Sequence, residues 1–244
     1  MSTPSVSRAE PERTSMEPRR ILVWDAPVRV FHWLIVLCFA GAYLTAEHES
    51  WRLVHVTLGY TMAGLVAFRV VWGLIGTRYA RFSSFVRGPR VVADYVKSLF
   101  RGRGEGHVGH NPAGALAIVA LLLLAVSVTA SGWANYNDLA GHWVEEFHET
   151  AANLMLAIVG VHVAGVVFGS WHERENLVRA MITGRKTGRP EQAIRSAWRT
   201  VALLMLAAVL GFWWLQWKSA PAGGALLDRP AAAAKAAHAD GDDD

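Results

Sequence analysis

The sequence predicts an all-α integral membrane protein, a four-helix bundle extended by a fifth, C-terminal transmembrane helix. Three observations predict it. Hydrophobic residues make up 52% of the 244-residue chain, more than a soluble domain of this size carries on a surface that must stay wet. They gather in five blocks, each near the twenty or so residues that a helix needs to cross a hydrocarbon core of roughly 30 Å. The segments between the blocks alternate in charge, basic then acidic, as the loops of a multi-pass protein do.

The elements follow in order. Residues 1–20 are polar, contain Pro, Ser and Arg, and show no period, which predicts a disordered cytoplasmic lead. The first apolar block runs from about Val28 to Ala46. It is longer than a signal-peptide core and no small-residue cleavage site follows it, so it is expected to remain as a membrane helix. A polar break, Glu47-His48-Glu49-Ser50, separates it from the second block, about Leu53 to Gly76. Val91 to Phe100 mixes apolar residues with Asp94 and Lys97 and reads as an amphipathic helix along the interface. The third block, about Pro112 to Trp133, is opened by His110-Asn111-Pro112, with proline near the first turn of a helix. The fourth runs from about Val144 to Ser170 and the fifth from about Ala197 to Trp217. Residues 21–190 are expected to form the four-helix domain and 191–217 the fifth helix. Residues 218–244, Ala-rich and ending Asp-Gly-Asp-Asp-Asp, read as a disordered acidic tail.

Basic residues set the orientation. Arg8, Arg13, Arg19, Arg20 and Arg29 lie before or at the start of the first helix. Arg78, Arg81, Arg87, Arg90, Lys97, Arg101 and Arg103 lie between the second and third, and Arg174, Arg179, Arg185, Lys186, Arg189 and Arg195 after the fourth. In a five-helix topology these fall on one side, which the positive-inside rule makes cytoplasmic. The opposite loops are short and carry Glu47, Glu49, Asp138, Glu145 and Glu146. The N-terminus is therefore expected inside and the C-terminus outside. Basic residues placed beside apolar blocks give no reason to expect a nucleic-acid partner; membrane lipid is the partner they predict.

Cys38 is the only cysteine. It excludes an internal disulfide, an iron–sulfur cluster and a Cys-x-x-Cys-His attachment, so any haem would be held without thioether bonds.

Among ten histidines, His32, His55, His148 and His162 lie in or at the ends of the predicted helices. A histidine at membrane depth is a functional candidate by default, although interhelical hydrogen bonding accounts for many. His148 and His162 are 14 residues apart, so they return to within roughly 40° of one helix face and stand about 21 Å apart along the axis. His148 is then near the outer surface and His162 near the inner one. His32 starts a helix that begins inside, and His55 one that begins outside. Depth therefore pairs His32 with His162 and His55 with His148. Non-haem sites draw three or four ligands to one point, often with a carboxylate or thiolate. Two imidazoles per level instead complete a haem iron whose other four ligands come from the porphyrin. Gly59, Gly165 and Gly41, near these histidines, offer room for a flat ring or simply close helix packing.

His48 and His142 are the rival ligands, but only His55 is followed by Gly59-Tyr60. His107, His110, His172 and His238 read as loop residues. His110 is either a helix-start residue or a contributor to a quinone site. Arg69 either snorkels to the interface or faces the propionates of the inner haem. Arg29 is a second candidate there, and Arg52 is one for the outer haem. Trp24, Trp33, Trp51, Trp72, Trp143 and Trp171 lie near helix ends and predict an aromatic belt, with one or two lining a haem.

Trp24-Asp25-Ala26-Pro27-Val28-Arg29-Val30-Phe31-His32-Trp33, His55-x3-Gly59-Tyr60 and His148-x13-His162 resemble the bacterial cytochrome b561 family, which includes the cytochrome b subunits of nickel–iron hydrogenases. Arg81-Phe82, Phe85-Val86-Arg87-Gly88-Pro89, Gly109-His110-Asn111-Pro112-Ala113-Gly114, Glu175-Asn176-Leu177 and Met181-Ile182-Thr183-Gly184-Arg185-Lys186 are similar to a branch known as cytochrome b domain-containing proteins. The resemblance covers about residues 21–190. It implies a four-helix core with two bis-histidine b haems at the same four positions, in the bacterial inner membrane, exchanging electrons with quinone and a redox partner. It carries nothing over to the fifth helix or the tail.

The leading expectation is electron transfer between the quinone pool and a periplasmic cytochrome c or other redox subunit, rather than a stand-alone enzyme. The acidic outer side would steer a basic partner. A superoxide-oxidising, quinone-reducing enzyme of the same fold is the alternative, which the acidic outer charge disfavours. A cofactor-free helical membrane protein is the third.

Overall fold

A computed structural model describes residues 19–86, 88–100, 108–139 and 141–219. The expected disordered lead (residues 1–18), Arg87, Arg101, Arg103, His107, His238 and the tail from residue 220 lie outside the described residues. The chain runs β1 (Arg19–Leu22), α1 (Ala26–Thr45), α2 (Arg52–Ile75), α3 (Phe82–Phe85), α4 (Pro89–Phe100), α5 (Pro112–Tyr136), α6 (Trp143–His172), α7 (Leu177–Thr183), β2 (Arg185–Gly188) and α8 (Arg199–Ser219). Five of these helices, α1, α2, α5, α6 and α8, are long and apolar enough to cross a membrane. They match the five predicted blocks, with ends shifted by a few residues.

Local chemistry sets the helix starts. Asp25 caps α1, its carboxylate accepting from Val28 N at 2.8 Å, and Pro27 lies in the first turn. Asn111 caps α5 in the same way, accepting from Gly114 N at 2.7 Å with Pro112 behind it. Asn176 caps α7, which ends at Gly184 in the left-handed conformation with φ 78°. A Cβ at Gly184 would also lie 2.6 Å from the carbonyl oxygen of Trp24, so the turn and the contact both require glycine.

The helices converge on one cluster. Phe31, Leu34, Cys38 and Phe39 of α1 meet Met62, Leu65 and Val66 of α2, Ala125 and Val128 of α5, and Ala151 and Met155 of α6. Met205 and Val209 of α8 join it, and Trp213 donates to Thr61 Oγ1 of α2 at 2.9 Å. The fifth helix thus packs on the bundle. Helix α6 is held chiefly by α5, and only 11% of its span is buried against 39% for α2. It faces α1 and α2 across side chains rather than backbone; Tyr43 of α1 donates to Asn153 of α6 at 2.8 Å.

One element is not visible in the sequence. Arg19 and Arg20, expected at the end of the disordered lead, belong to β1, which pairs antiparallel with β2 in the register Arg20↔Thr187 and Leu22↔Arg185. The partner strand is far away in sequence, and four residues show too little alternation to announce a strand. Ile21, Val23 and Trp24 are buried beside Ala180, so the ribbon closes the basic end of the bundle. Trp24 and Trp72 are each 7% exposed and lie inside this end rather than in an aromatic belt. Trp33, Trp51, Trp143 and Trp171 are exposed, as belt residues are.

Candidate functional site

At the acidic end, the first turn of α2 and the early turns of α6 bring His55 and His148 together. Their rings are 6.2 Å apart between centroids and inclined at 70°. His55 Nδ1 lies 2.8 Å from the carbonyl oxygen of Ala42 in α1. His148 Nδ1 lies 3.0 Å from that of Val128 in α5 and 3.1 Å from Ser131 Oγ. A carbonyl oxygen only accepts, so in both rings Nδ1 carries the hydrogen and Nε2 is the nitrogen left to face a metal. That is the state of a histidine prepared to ligate a metal, with its other nitrogen bonded to the backbone to set tautomer and orientation.

Each carbonyl is available for a local reason. In the last turn of α1 the N–H of Ala46 bonds to Tyr43 O instead of to Ala42 O, leaving Ala42 O for His55 and for the Thr45 hydroxyl at 3.1 Å. Val128 O is mid-helix and uses its second lone pair. His148 reaches it because position 132 is glycine: a Cβ there would lie 2.9 Å from His148 Cε1. Gly132, Ser131, Ala42 and Val128 were not anticipated. Gly132 sits on the helix facing the ligand rather than on the ligand's own helix, so no spacing within one segment marks it.

The spacing suits a haem. An imidazole nitrogen sits about 2 Å from the metal it ligates and the ring centre about 1 Å further, so two rings on opposite sides of one iron stand about 6 Å apart. Among the described residues no group of three His, Cys, Asp or Glu converges on a point, which leaves pairs. No neighbouring atom lies within 4 Å of where a Cβ would sit on Gly59 or Gly165, whereas on Gly41 it would lie 2.7 Å from Leu58. Gly41 is thus a contact between α1 and α2, and the other two leave room beside His55 and His162. The rivals stand apart: His48 is exposed, and His142 is exposed and paired with Glu145 at 3.2 Å.

At the basic end, His32 on α1 and His162 on α6 are half-buried electrostatic neighbours. His32 Nδ1 is enclosed without a hydrogen-bond partner. Two more enclosed, unpartnered nitrogens belong to this end, Arg69 Nη1 and His110 Nδ1. Arg69 is 3% exposed, so it does not snorkel to water. Asp25 is its counter-charge, and its guanidinium lies 4.9 Å from the Phe82 ring centre. Asp25, itself 1% exposed, is saturated by Val28 N, by Trp72 Nε1 at 3.1 Å and by Thr77 Oγ1 at 2.6 Å. Asn111, not His110, starts α5. His110 instead lies between the rings of Trp24 and Phe85, at 4.5 and 4.6 Å. Burial pushes its pKa down to about 3, helped by the cations Arg69 and Lys186 and by His162, so it is neutral near pH 7. The other two arginines are committed elsewhere. Arg29 donates to Ile182 O at 2.6 Å and to Asp25 O at 3.3 Å. Arg52 lies 5.8 Å from the Tyr136 ring centre at the acidic end.

A helical membrane bundle whose histidines face one another across helices has the architecture of a membrane b-type cytochrome. Residues 23–184 match the family described as Prokaryotic cytochrome b561, and the chain belongs to that family. Similar proteins include the Probable Ni/Fe-hydrogenase 1 B-type cytochrome subunit of Escherichia coli (strain K12), 24% identical over 217 residues that cover 68% of this chain and 90% of that one. The Probable Ni/Fe-hydrogenase B-type cytochrome subunits of Rhodobacter capsulatus (24% identical, 68% and 81% covered) and Rhizobium leguminosarum bv. viciae (22%, 70% and 91%) are also similar. No solved structure matches the chain. Membership implies an electron-transfer protein carrying haem b, and a cofactor-free bundle is set aside.

Proposed function

We propose that this chain carries electrons across the bacterial inner membrane through two b haems, one between His55 and His148 and the other between His32 and His162. The observation that carries the reading is the acidic-end pair, two rings 6.2 Å apart whose Nδ1 atoms are each bonded to a main-chain carbonyl. Haem iron supplies one-electron chemistry, passing between ferric and ferrous states. The protein's part is orientation and tuning. Ala42 O and Val128 O hold the imidazoles and raise their basicity as ligands. At the basic end Arg69 offers an enclosed donor to a propionate, because a buried guanidinium N–H without an acceptor is costly. Arg29 and Arg52 are second-rank candidates for the same task, since their groups already have partners.

Electrons would pass between the quinone pool and a redox subunit docked at the acidic, periplasmic side. The similar proteins are hydrogenase cytochrome subunits, which makes a hydrogenase or a cytochrome c the class of partner to test. His110, enclosed and neutral beside the inner pair, suits a hydrogen bond to a quinone oxygen.

Quantified reduced-minus-oxidised spectra of purified protein test the assignment. Two b haems per chain are expected, with His55→Ala or His148→Ala losing one and His32→Ala or His162→Ala the other. A stoichiometry of one, or a His148→Ala protein with both haems intact, would overturn the two-site reading.

A further inference from the structure

We propose that the cavity of about 480 Å³ lined by Arg20, Arg179, Thr183 and Arg185 binds a phosphate-bearing anion at the basic end of the bundle. It lies outside the histidine sites, and neither the haems nor their arginine candidates use it.

The fold itself brings the three cations together. In β2 burial alternates, so Lys186 turns inward, 4% exposed, while Arg185 and Thr187 share the opposite face. The register pairs Arg20 with Thr187 and Leu22 with Arg185, which puts Arg20 and Arg185 on that same face as diagonal neighbours. The left-handed turn at Gly184 returns the chain from α7 directly into β2, setting Arg179 beside them. Like charges gathered on one face of a ribbon repel and need a counter-charge.

The protein supplies only part of it. Glu175 accepts from Arg20 Nη1 at 2.9 Å, and also from Thr187 N at 2.8 Å and Thr187 Oγ1 at 3.2 Å. Glu173 is engaged by Lys186 at 3.2 Å. Arg179 and Arg185 make no ion pair among the described residues. Arg20 is therefore pre-oriented by Glu175, and two further guanidinium groups, both exposed and without a carboxylate partner among the described residues, line the same cavity. Guanidinium forks match phosphate oxygens two at a time. The Thr183 hydroxyl already donates to Arg179 O at 2.9 Å, so recognition falls to the arginines. The positive-inside rule asks for the number of basic residues on this side, not for their convergence on a cavity. Basic pockets next to the ends of membrane helices are where lipid phosphates are held, and a soluble phosphate has the same chemistry.

The test uses the purified holoprotein in neutral detergent, titrated with phosphatidylglycerol and separately with inorganic phosphate. Retained adducts are read by native mass spectrometry and thermal unfolding by the visible haem band. Wild-type protein should bind at least one of the two. The double variant Arg179→Gln/Arg185→Gln should bind tenfold or more weakly, with its haem spectrum unchanged. A control removing the same charge elsewhere, Arg78→Gln/Arg81→Gln, should change binding less than twofold. Saturable binding of phosphatidylglycerol alone identifies a lipid headgroup site, and equal binding of inorganic phosphate a site for soluble phosphates; either supports the proposal. No saturable binding by wild type, or equal weakening by both double variants, overturns it. If the first double variant does not fold, Arg185→Lys serves instead. It keeps the charge and loses the fork, and binding unchanged from wild type would sink the proposal.

Discussion

Position 132 shows how much a single hydrogen atom in place of a methyl group can decide. The His148 ring lies where a Cβ on Gly132 would come within 2.9 Å of Cε1, so Gly132→Ala must push the ring away from Val128 O. On the proposed two-haem reading, the predicted result is a protein that keeps the absorption of the His32–His162 site and loses most of that from the His55–His148 site. Haem per chain then falls toward one, measured by pyridine haemochrome assay. Ser131→Ala, by contrast, removes one of two partners of Nδ1 and leaves the carbonyl bond in place, so both haems should remain. His148 itself could be read from the sequence because its own helix carried the spacing to His162. Gly132 could not, because its meaning lies in a contact between helices whose mutual rotation no local pattern records.

Among elements, the join of α1 to α2 at the basic end carries the most chemistry. Asp25 is at once the N-cap of α1, the acceptor for Trp72 in the last turn of α2 and for Thr77 just after it, and the counter-charge of Arg69. Asp25→Ala removes a cap worth about 1 kcal/mol and strands buried donors at about 1–3 kcal/mol each. It should lower the thermal midpoint of the purified protein well beyond the effect of Asn111→Ala, which removes a cap alone. Equal midpoints for the two variants would show that Trp72, Thr77 and Arg69 do not depend on Asp25. Asp25 stood out in the sequence only as part of a family motif; its cap and its ties to α2 came from the structure. The β1–β2 ribbon was hidden for a related reason, since four residues cannot show a period and the pairing joins the two ends of the domain. Trp24 and Trp72 misled for the opposite reason: a tryptophan at a helix end has an interfacial default, which tertiary burial overrode here.

For the whole molecule, the proposed topology of five spans puts the start of α1 and the end of α8 on opposite sides. The pairing of β1 with β2 requires the segment just before α1 and the segment after α6 to share one end of the bundle, the end rich in arginine. We expect fusions to report this. A phosphatase active only outside the cytoplasm should work at residue 244 and fail when fused within the β2–α8 segment, with a cytoplasmic reporter giving the reverse. Matching activity at both positions would mean that α8 does not span. In the proposed orientation Glu47, Glu49, Glu145 and Glu146 lie outside, where steering of a basic partner would make reduction rates fall as ionic strength rises.

What the sequence determined by itself was the membrane class and the five apolar spans; from the same patterns come the proposed charge-set orientation and the proposed pairing of four histidines by depth. These follow from hydropathy, charge and a fixed rise per residue, all properties of one segment at a time. Only the tertiary structure decided that Nδ1 of His55 and His148 is held by Ala42 and Val128, that Gly132 admits the ring, and that Arg69 is buried rather than snorkelling. It alone gathered Arg20, Arg179 and Arg185 at one cavity. Each of these depends on how separate helices and strands are rotated and registered against one another, and that information exists only once the bundle has packed.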